Sequence, residues 1–122
     1  FKTINDEYGH VEGDRVLRMV ANTLMENTRE ADIVGRWGGD EFLVILKSPG
    51  SREMVQSIAE KLRILLENSI LTSKLDKVNI SVSIGVAFPT VDDSVEVIIE
   101  RADQLMYQSK HAGRNRITLQ NE

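Results

Sequence analysis

From Arg15 to Arg29 the apolar residues Val16, Leu17, Val20, Ala21, Leu24 and Met25 recur every three or four positions, the period of one helix face. The spacing predicts a helix over 15–29 with Asp14 as its N-cap. The stretch before it, 1–14, holds Asn5, Asp6, Gly9, Gly13 and Asp14, all turn formers, and reads as an irregular loop. Two short apolar runs follow, Asp32–Trp37 and Glu41–Leu46, and read as strands. Gly38-Gly39 between them supplies the positive φ angles that a tight hairpin turn requires. Phe42, Val44 and Leu46 alternate with Leu43 and Ile45, so the second strand is apolar on both faces and is expected to be buried on both. Ser51 then caps a second helix whose stripe is Val55, Ile58, Ala59, Leu62, Leu65 and Leu66. After a polar connection over Leu71–Lys77, Val78–Phe88 alternates strictly between apolar and small or polar residues and predicts a strand. Asp92-Asp93-Ser94 opens a third helix with Val95, Ile98, Ala102, Leu105 and Met106 as its apolar stripe, and Gly113 suits its C-terminal cap. Ile117 and Leu119 suggest a last short strand.

The order helix, strand, strand, helix, strand, helix, strand implies an α/β or α+β sandwich. A leading strand would complete a β-α-β-β-α-β core, and none precedes Phe1 in this sequence. With 122 residues the chain sits in the single-domain range and is long enough to bury a core without staples. Cysteine is absent, which excludes disulfides, cysteine nucleophiles and thiolate zinc sites. The two histidines, His10 and His111, are too few for a multi-histidine zinc site. A net charge of −4 argues against a sequence-independent nucleic-acid binder. No apolar run approaches the roughly 20 residues of a membrane-spanning helix.

Four clusters could carry chemistry, and each also has a plain structural reading. At the hairpin tip, Asp40 and Glu41 adjoin glycines that let another molecule approach the backbone; acidic residues also serve simply to solvate a turn. Asn5 and Asp14, with Asp6, could read a base edge offering donors and an acceptor, as guanine does, or could make turns and a cap. Lys110, Gly113, Arg114, Asn115 and Arg116 could clamp phosphate, or the cations could complement the dipole of the preceding helix. Arg29 and Asp32 are three apart and could pair with each other, or present a fork and an acceptor to a nucleotide.

The residues taken together resemble a known family. Gly38-Gly39-Asp40-Glu41-Phe42 spells the signature of the GGDEF domain, the catalytic domain of bacterial diguanylate cyclases. Phe1-Lys2-Thr3-Ile4-Asn5-Asp6, Tyr8-Gly9-His10 and Gly13-Asp14 resemble that family's FKxIND-x-YGH-xx-GD stretch. Ser81–Val86 resembles its SxSIG strand. Ala102-Asp103 with Met106-Tyr107 and Lys110 resembles its AD…LYxAK helix, and Gly113-Arg114-Asn115 follows. The resemblance runs from Phe1 to about Ile117. It implies a nucleotidyl-cyclase-like core and one GGDEF domain over 1–122 without its first strand, the strand that carries a metal-binding aspartate in the family.

The resemblance also implies a reaction: a nucleotidyltransferase that condenses two GTP into cyclic di-GMP and two pyrophosphates across an interface between two copies. Asp40 and Glu41 would hold Mg²⁺ (or Mn²⁺), with Glu41 either a ligand or a base for the 3′-hydroxyl. Asn5 and Asp14 would recognise guanine, Lys110 and Arg114 the terminal phosphates, and Phe1, Lys2, Gly38 and Gly39 would line the phosphates. Arg29 and Asp32 match an RxxD site at which cyclic di-GMP inhibits its own synthesis. In the family a second arginine from a neighbouring domain completes that site, and the candidates here for its counterpart are Lys61 and Arg63. The implied partners are GTP, cyclic di-GMP and a second copy, without nucleic acid or direct membrane contact. The implied location is cytoplasmic, where GTP is, whether or not the parent protein is anchored to a membrane. The alternative is a catalytically silent module that binds GTP or cyclic di-GMP.

Overall fold

Helix α1 (His10–Glu26) begins a full turn ahead of the predicted cap. The computed structural model describes residues 10–71 and 82–121, and in it Gly13 and Asp14 lie inside the helix rather than in a loop before it. Gly13 is buried in line with Val16, Leu17 and Leu24, so it belongs to the packed face. A buried backbone must satisfy its own polar groups, and the helix does so. Asp14 is therefore an exposed residue of the second turn, free of a capping role. The helix stops at Glu26, short of Arg29. There the side chains of Asn27 and Thr28 donate to the carbonyls of Thr23 and Leu24, each at 2.8 Å, and compete with the next helical turn.

Strands β1 (Ile33–Gly38) and β2 (Glu41–Ile45) form the predicted antiparallel hairpin. Its register pairs Ile33 with Ile45 and Gly38 with Glu41, with an irregularity between Arg36 and Gly38 that leaves Trp37 unpaired. The bulge moves the turn by one residue, to Gly39-Asp40 instead of Gly38-Gly39. Gly39 alone in that turn has a positive φ, +51°. The expected burial of β2 on both faces does not occur. Its residues are half-buried and Ile45 is 44% exposed. Among the described residues this sheet has only two strands, with α1 packed against it.

Helix α2 (Arg52–Leu71) is capped by Ser51, whose Oγ accepts from the Met54 N–H at 3.2 Å. Its predicted stripe is inside: Val55, Ala59, Leu62 and Leu66 are buried. Leu62 and Leu66 join Leu24 of α1 in a core that also packs Val34, Phe42 and Val44 of the hairpin and Val82. The connection expected over 72–77 and the start of the following strand, 78–81, lie outside the described residues. Strand β3 is Ile84–Val86, shorter than its alternation implied. Beyond Val86 the Phe88 N–H donates to the Gln120 side chain at 2.8 Å, not to a ladder.

Helix α3 (Val95–His111) connects β3 to β4 (Ile117–Leu119), and the two strands pair in parallel, Ile84 with Ile117 and Val86 with Leu119. Ser94 caps α3, its side chain accepting from the Val97 N–H at 3.3 Å. Gly113, φ +123°, follows the C-cap Ala112 as expected. The predicted element order is thus observed, as an α/β fold whose described strands form two small sheets. The hairpin packs on α1, and α3 packs on β3 and β4. Helix α2 lies between these halves and touches α1 on one side and both β3 and β4 on the other.

Candidate active site

Four of the proposed residues, Gly38, Gly39, Asp40 and Glu41, share one tight turn. A Cβ added to Gly38 or Gly39 meets nothing within 4 Å. Internal crowding therefore gives no reason for either glycine; the positive φ requires Gly39, and Gly38 leaves open surface beside the carboxylates. Asp40 is exposed in the turn, whereas Glu41 is half-buried as the first residue of β2. The Arg36 Nε donates to the Gly39 carbonyl at 2.8 Å and braces the turn from the strand before it. The sequence reading missed Arg36, whose position just ahead of the glycines was the available signal.

The described residues include no cluster of three acidic or histidine side chains that could hold a metal by themselves. Asp40 and Glu41 are nevertheless a chemically suitable pair. They are hard oxygen donors without an ion-pair partner among the described residues, and Mg²⁺ is typically held by one or two carboxylates plus phosphate oxygens and water.

Asp14 stands at the rim of a groove of about 370 Å³ between α1 and the hairpin, with Leu17, Met25, Val34 and Phe42 as its apolar lining and Arg18 and Arg36 as cations. The tertiary fold thus brings Asp14 to the stem of the acidic hairpin. Apolar walls with a few polar groups at the edge suit a flat, partly apolar ligand. Phe1, Lys2 and Asn5 lie outside the described residues.

The basic cluster is built at the end of α3. Lys110 is half-buried in the last turn, and Arg114 is exposed in the loop beyond. That loop is left-handed at Gly113, at Arg114 (φ +63°) and at Asn115 (φ +47°). The Arg114 N–H donates to the Ser109 carbonyl at 2.9 Å. Ser109 is itself fully buried, its hydroxyl bonded to the Ile84 carbonyl at 2.9 Å and to the Thr118 hydroxyl at 2.6 Å. The main packing partners of α3 are β3 and β4, so the cations and the acidic turn belong to the two halves that α2 joins.

Arg29 and Asp32 are brought together, and they satisfy each other. The guanidinium reaches both carboxylate oxygens, at 3.0 and 3.3 Å, and also donates to the Lys47 carbonyl. Asp32 further accepts the N–H of Arg29 at 2.9 Å and of Lys47 at 3.0 Å. The Arg29 guanidinium first, then these two N–H groups, hold the Asp32 carboxyl down to about 2. Its side chain is 2% exposed, while that of Arg29 is 55% exposed. Asp32 thereby ties the α1–β1 loop to the β2–α2 loop, and Arg29 is the member of the pair that faces solvent. Arg63, a candidate for the same inhibitory site, is instead bonded to Glu60, Glu67 and Asn115. The guanidinium keeps the Glu60 carboxyl below its ordinary range.

Fold and site define an α/β domain with a carboxylate-bearing glycine turn, an adjoining groove and a separate cationic loop. Comparison with known proteins makes this specific. The family model described as diguanylate cyclase, GGDEF domain, matches residues 1–116. Diguanylate cyclase A of Treponema denticola is 43% identical over 120 residues, 98% of this chain and 32% of that protein. Diguanylate cyclase DgcZ of Escherichia coli (strain K12) is 39% identical over 116 residues, 95% of this chain and 39% of that protein. The crystal structure of the coiled coil and GGDEF domain of DgcB from Caulobacter crescentus, in complex with c-di-GMP, superposes with a TM-score of 0.84 at 29% identity, covering 98% of this chain and 64% of that one. The chain belongs to the GGDEF domain family, and it spans well under half the length of these curated relatives. Among the described residues no helix is long and apolar enough to cross a membrane.

Proposed function

We propose that this chain is the catalytic domain of a diguanylate cyclase, joining two GTP molecules into cyclic di-GMP with release of two pyrophosphates. The observation that carries the reading is the Gly38–Glu41 turn. It presents two carboxylates without an ion-pair partner among the described residues, beside open glycine surface and next to a groove lined in part by Asp14. A triphosphate would be repelled by such a turn unless a divalent cation lay between them, and Asp40 and Glu41 are the residues that would hold it. Mg²⁺ bound there would neutralise phosphate charge and stabilise the attacking and leaving oxygens.

The chain's own residues supply the rest. Asp14 accepts from the guanine edge while Leu17, Val34 and Phe42 cover the ring in the groove. Lys110 and Arg114 bind the terminal phosphates, Lys110 as a point charge and Arg114 as a fork. The hairpin of one copy faces that of a second. The 3′-oxygen of one GTP then forms a bond to the α-phosphorus of the other. The bond from that phosphorus to the pyrophosphate oxygen breaks, and the hydroxyl proton passes to Glu41 or to solvent. The symmetric step closes the ring. The solvent-facing Arg29, released from Asp32, offers its fork to the product and damps turnover.

The test is incubation of the parent protein with GTP and Mg²⁺, with nucleotides separated by chromatography. Cyclic di-GMP should form, with specific activity rising with protein concentration because two domains must meet. Asp40→Asn should abolish product while leaving stability within about 0.5 kcal/mol, since Asp40 is exposed. No cyclic di-GMP from wild type at high protein concentration refutes the enzyme and leaves the silent nucleotide-binding module.

A further inference from the structure

Arg63 lies on α2, a helix that carries none of the residues assigned to substrate, and its guanidinium makes four contacts. Nε donates to Glu60 Oε1 at 2.9 Å, and Nη2 makes a second, shorter contact with the same oxygen. Nη1 donates to Glu67 Oε2 at 3.1 Å and to Asn115 Oδ1 at 2.7 Å. The side chain is 16% exposed. Glu60 and Glu67 stand one turn to either side of Arg63 on the same helix and hold the plane of the guanidinium. A planar fork gripped on two sides has its remaining donor direction set. That direction is taken by Asn115, 52 residues away in sequence.

The segment it reaches is a strained one. Gly113, Arg114 and Asn115 are successive left-handed residues. Asparagine tolerates that region and arginine does so poorly, and such conformations persist only where neighbours over-determine them. Arg114 has a tether on each side. Its own N–H is bonded to the carbonyl of the fully buried Ser109, and the next side chain, Asn115, is held by Arg63. Without the second tether, the described contacts that still resist relaxation toward ordinary φ are the Ser109 bond, the Ile84 N–H to Arg116 carbonyl bond at 3.0 Å and the exposed 3.2 Å contact from Arg116 Nε to the Arg114 carbonyl.

We propose that Arg63 is a positioning residue for the phosphate clamp: by gripping Asn115 it keeps Arg114 in the left-handed conformation from which its guanidinium meets the triphosphate beside Lys110. This deepens the diguanylate cyclase reading and rests on it. It also gives α2, the helix between the two halves of the fold, a direct hold on the substrate-binding loop.

The experiment compares Arg63→Gln, Asn115→Gly and the double variant in the parent protein. The readouts are KM and kcat for cyclic di-GMP formation, the dissociation constant of a non-hydrolysable GTP analogue, and the thermal midpoint. Asn115→Gly keeps a residue at ease with positive φ and deletes only the acceptor. Each single variant should raise KM and the analogue's dissociation constant about tenfold, the order expected for a lost charge-assisted hydrogen bond, with kcat within about twofold. The double variant should be no worse than either single one, because both remove the same interaction. Wild-type analogue binding in both single variants overturns the proposal. So does a lowered thermal midpoint and kcat with KM unchanged, the pattern of a merely structural bond. A wild-type protein that neither binds GTP nor makes cyclic di-GMP overturns instead the function on which the proposal stands, and is readily told from an active enzyme with indifferent variants.

Discussion

Replacing Gly85 by alanine should loosen the whole α3 half of the domain. A Cβ at that position would lie 2.2 Å from the Met106 nitrogen, 2.3 Å from the Ala102 carbonyl oxygen and 2.8 Å from the Leu105 carbonyl carbon. All three are backbone atoms, so no side chain can swing aside. Carbon needs roughly 3.5 Å from such neighbours, so α3 must retreat from β3 by roughly 1 Å. Overpacking of this kind costs about 3 kcal/mol, the upper end of the usual range, because backbone meets backbone. The same retreat stretches the bonds of the Ser109 hydroxyl to Ile84 and Thr118, 2.9 and 2.6 Å in the native packing. Their weakening adds about 1 kcal/mol. A total near 4 kcal/mol corresponds to a fall of about 15 °C in the thermal midpoint for a domain of this size. Circular dichroism melts of wild type and variant measure it. Gly35→Ala is the internal control. Its added Cβ meets nothing within 4 Å and its φ is not positive, so the same chemical change there should be neutral or stabilise by up to about 1 kcal/mol. Because Lys110 rides on α3, the Gly85 variant should also bind GTP more weakly. A midpoint for Gly85→Ala within about 3 °C of wild type would refute the claim that the strand–helix approach requires glycine.

The Asp32 contacts give a pH signature. The folded carboxyl sits at about 2 against an ordinary 3.8, so it stabilises the fold above about pH 4 and loses that contribution as pH falls toward 2. Asp32→Asn should therefore be less stable than wild type in urea at pH 7, with the gap closing between pH 4 and 2; a gap independent of pH would refute the assignment. Arg29→Ala should raise the concentration of added cyclic di-GMP needed for half inhibition by at least about tenfold, since the solvent-facing fork is lost. Equal inhibition of variant and parent would remove Arg29 from the inhibitory site.

Much of the fold was legible along the chain because its signals are local. The stripes of α1 and α2 follow a period of three to four residues, and Ser51, Ser94 and Gly113 act on backbone groups within a turn of themselves. The GGDEF signature likewise marks the acidic turn through five consecutive residues, Gly38–Phe42. Local reading failed where a residue's role depends on something distant. Gly13 reads locally as a turn former yet sits on the packed face of α1, and β2 reads as doubly buried because an apolar strand does not state how many layers cover it. Trp37 gave no warning that it would be left unpaired and shift the turn to Gly39-Asp40.

The candidate site divides the same way. Composition and motif named Asp40, Glu41, Asp14, Lys110 and Arg114 as residues with suitable chemistry. Packing between segments far apart in sequence put Asp14 beside the hairpin stem, brought Lys47 onto the Arg29–Asp32 pair, and set Gly85 against the backbone of α3. It also linked Arg63 to Asn115 across 52 residues. The reason is physical. Periodicity and caps are properties of a few neighbouring residues, written into any stretch that carries them. The distance between two helices, or the direction of one guanidinium, is set by the whole core at once and exists only after the chain has closed upon itself.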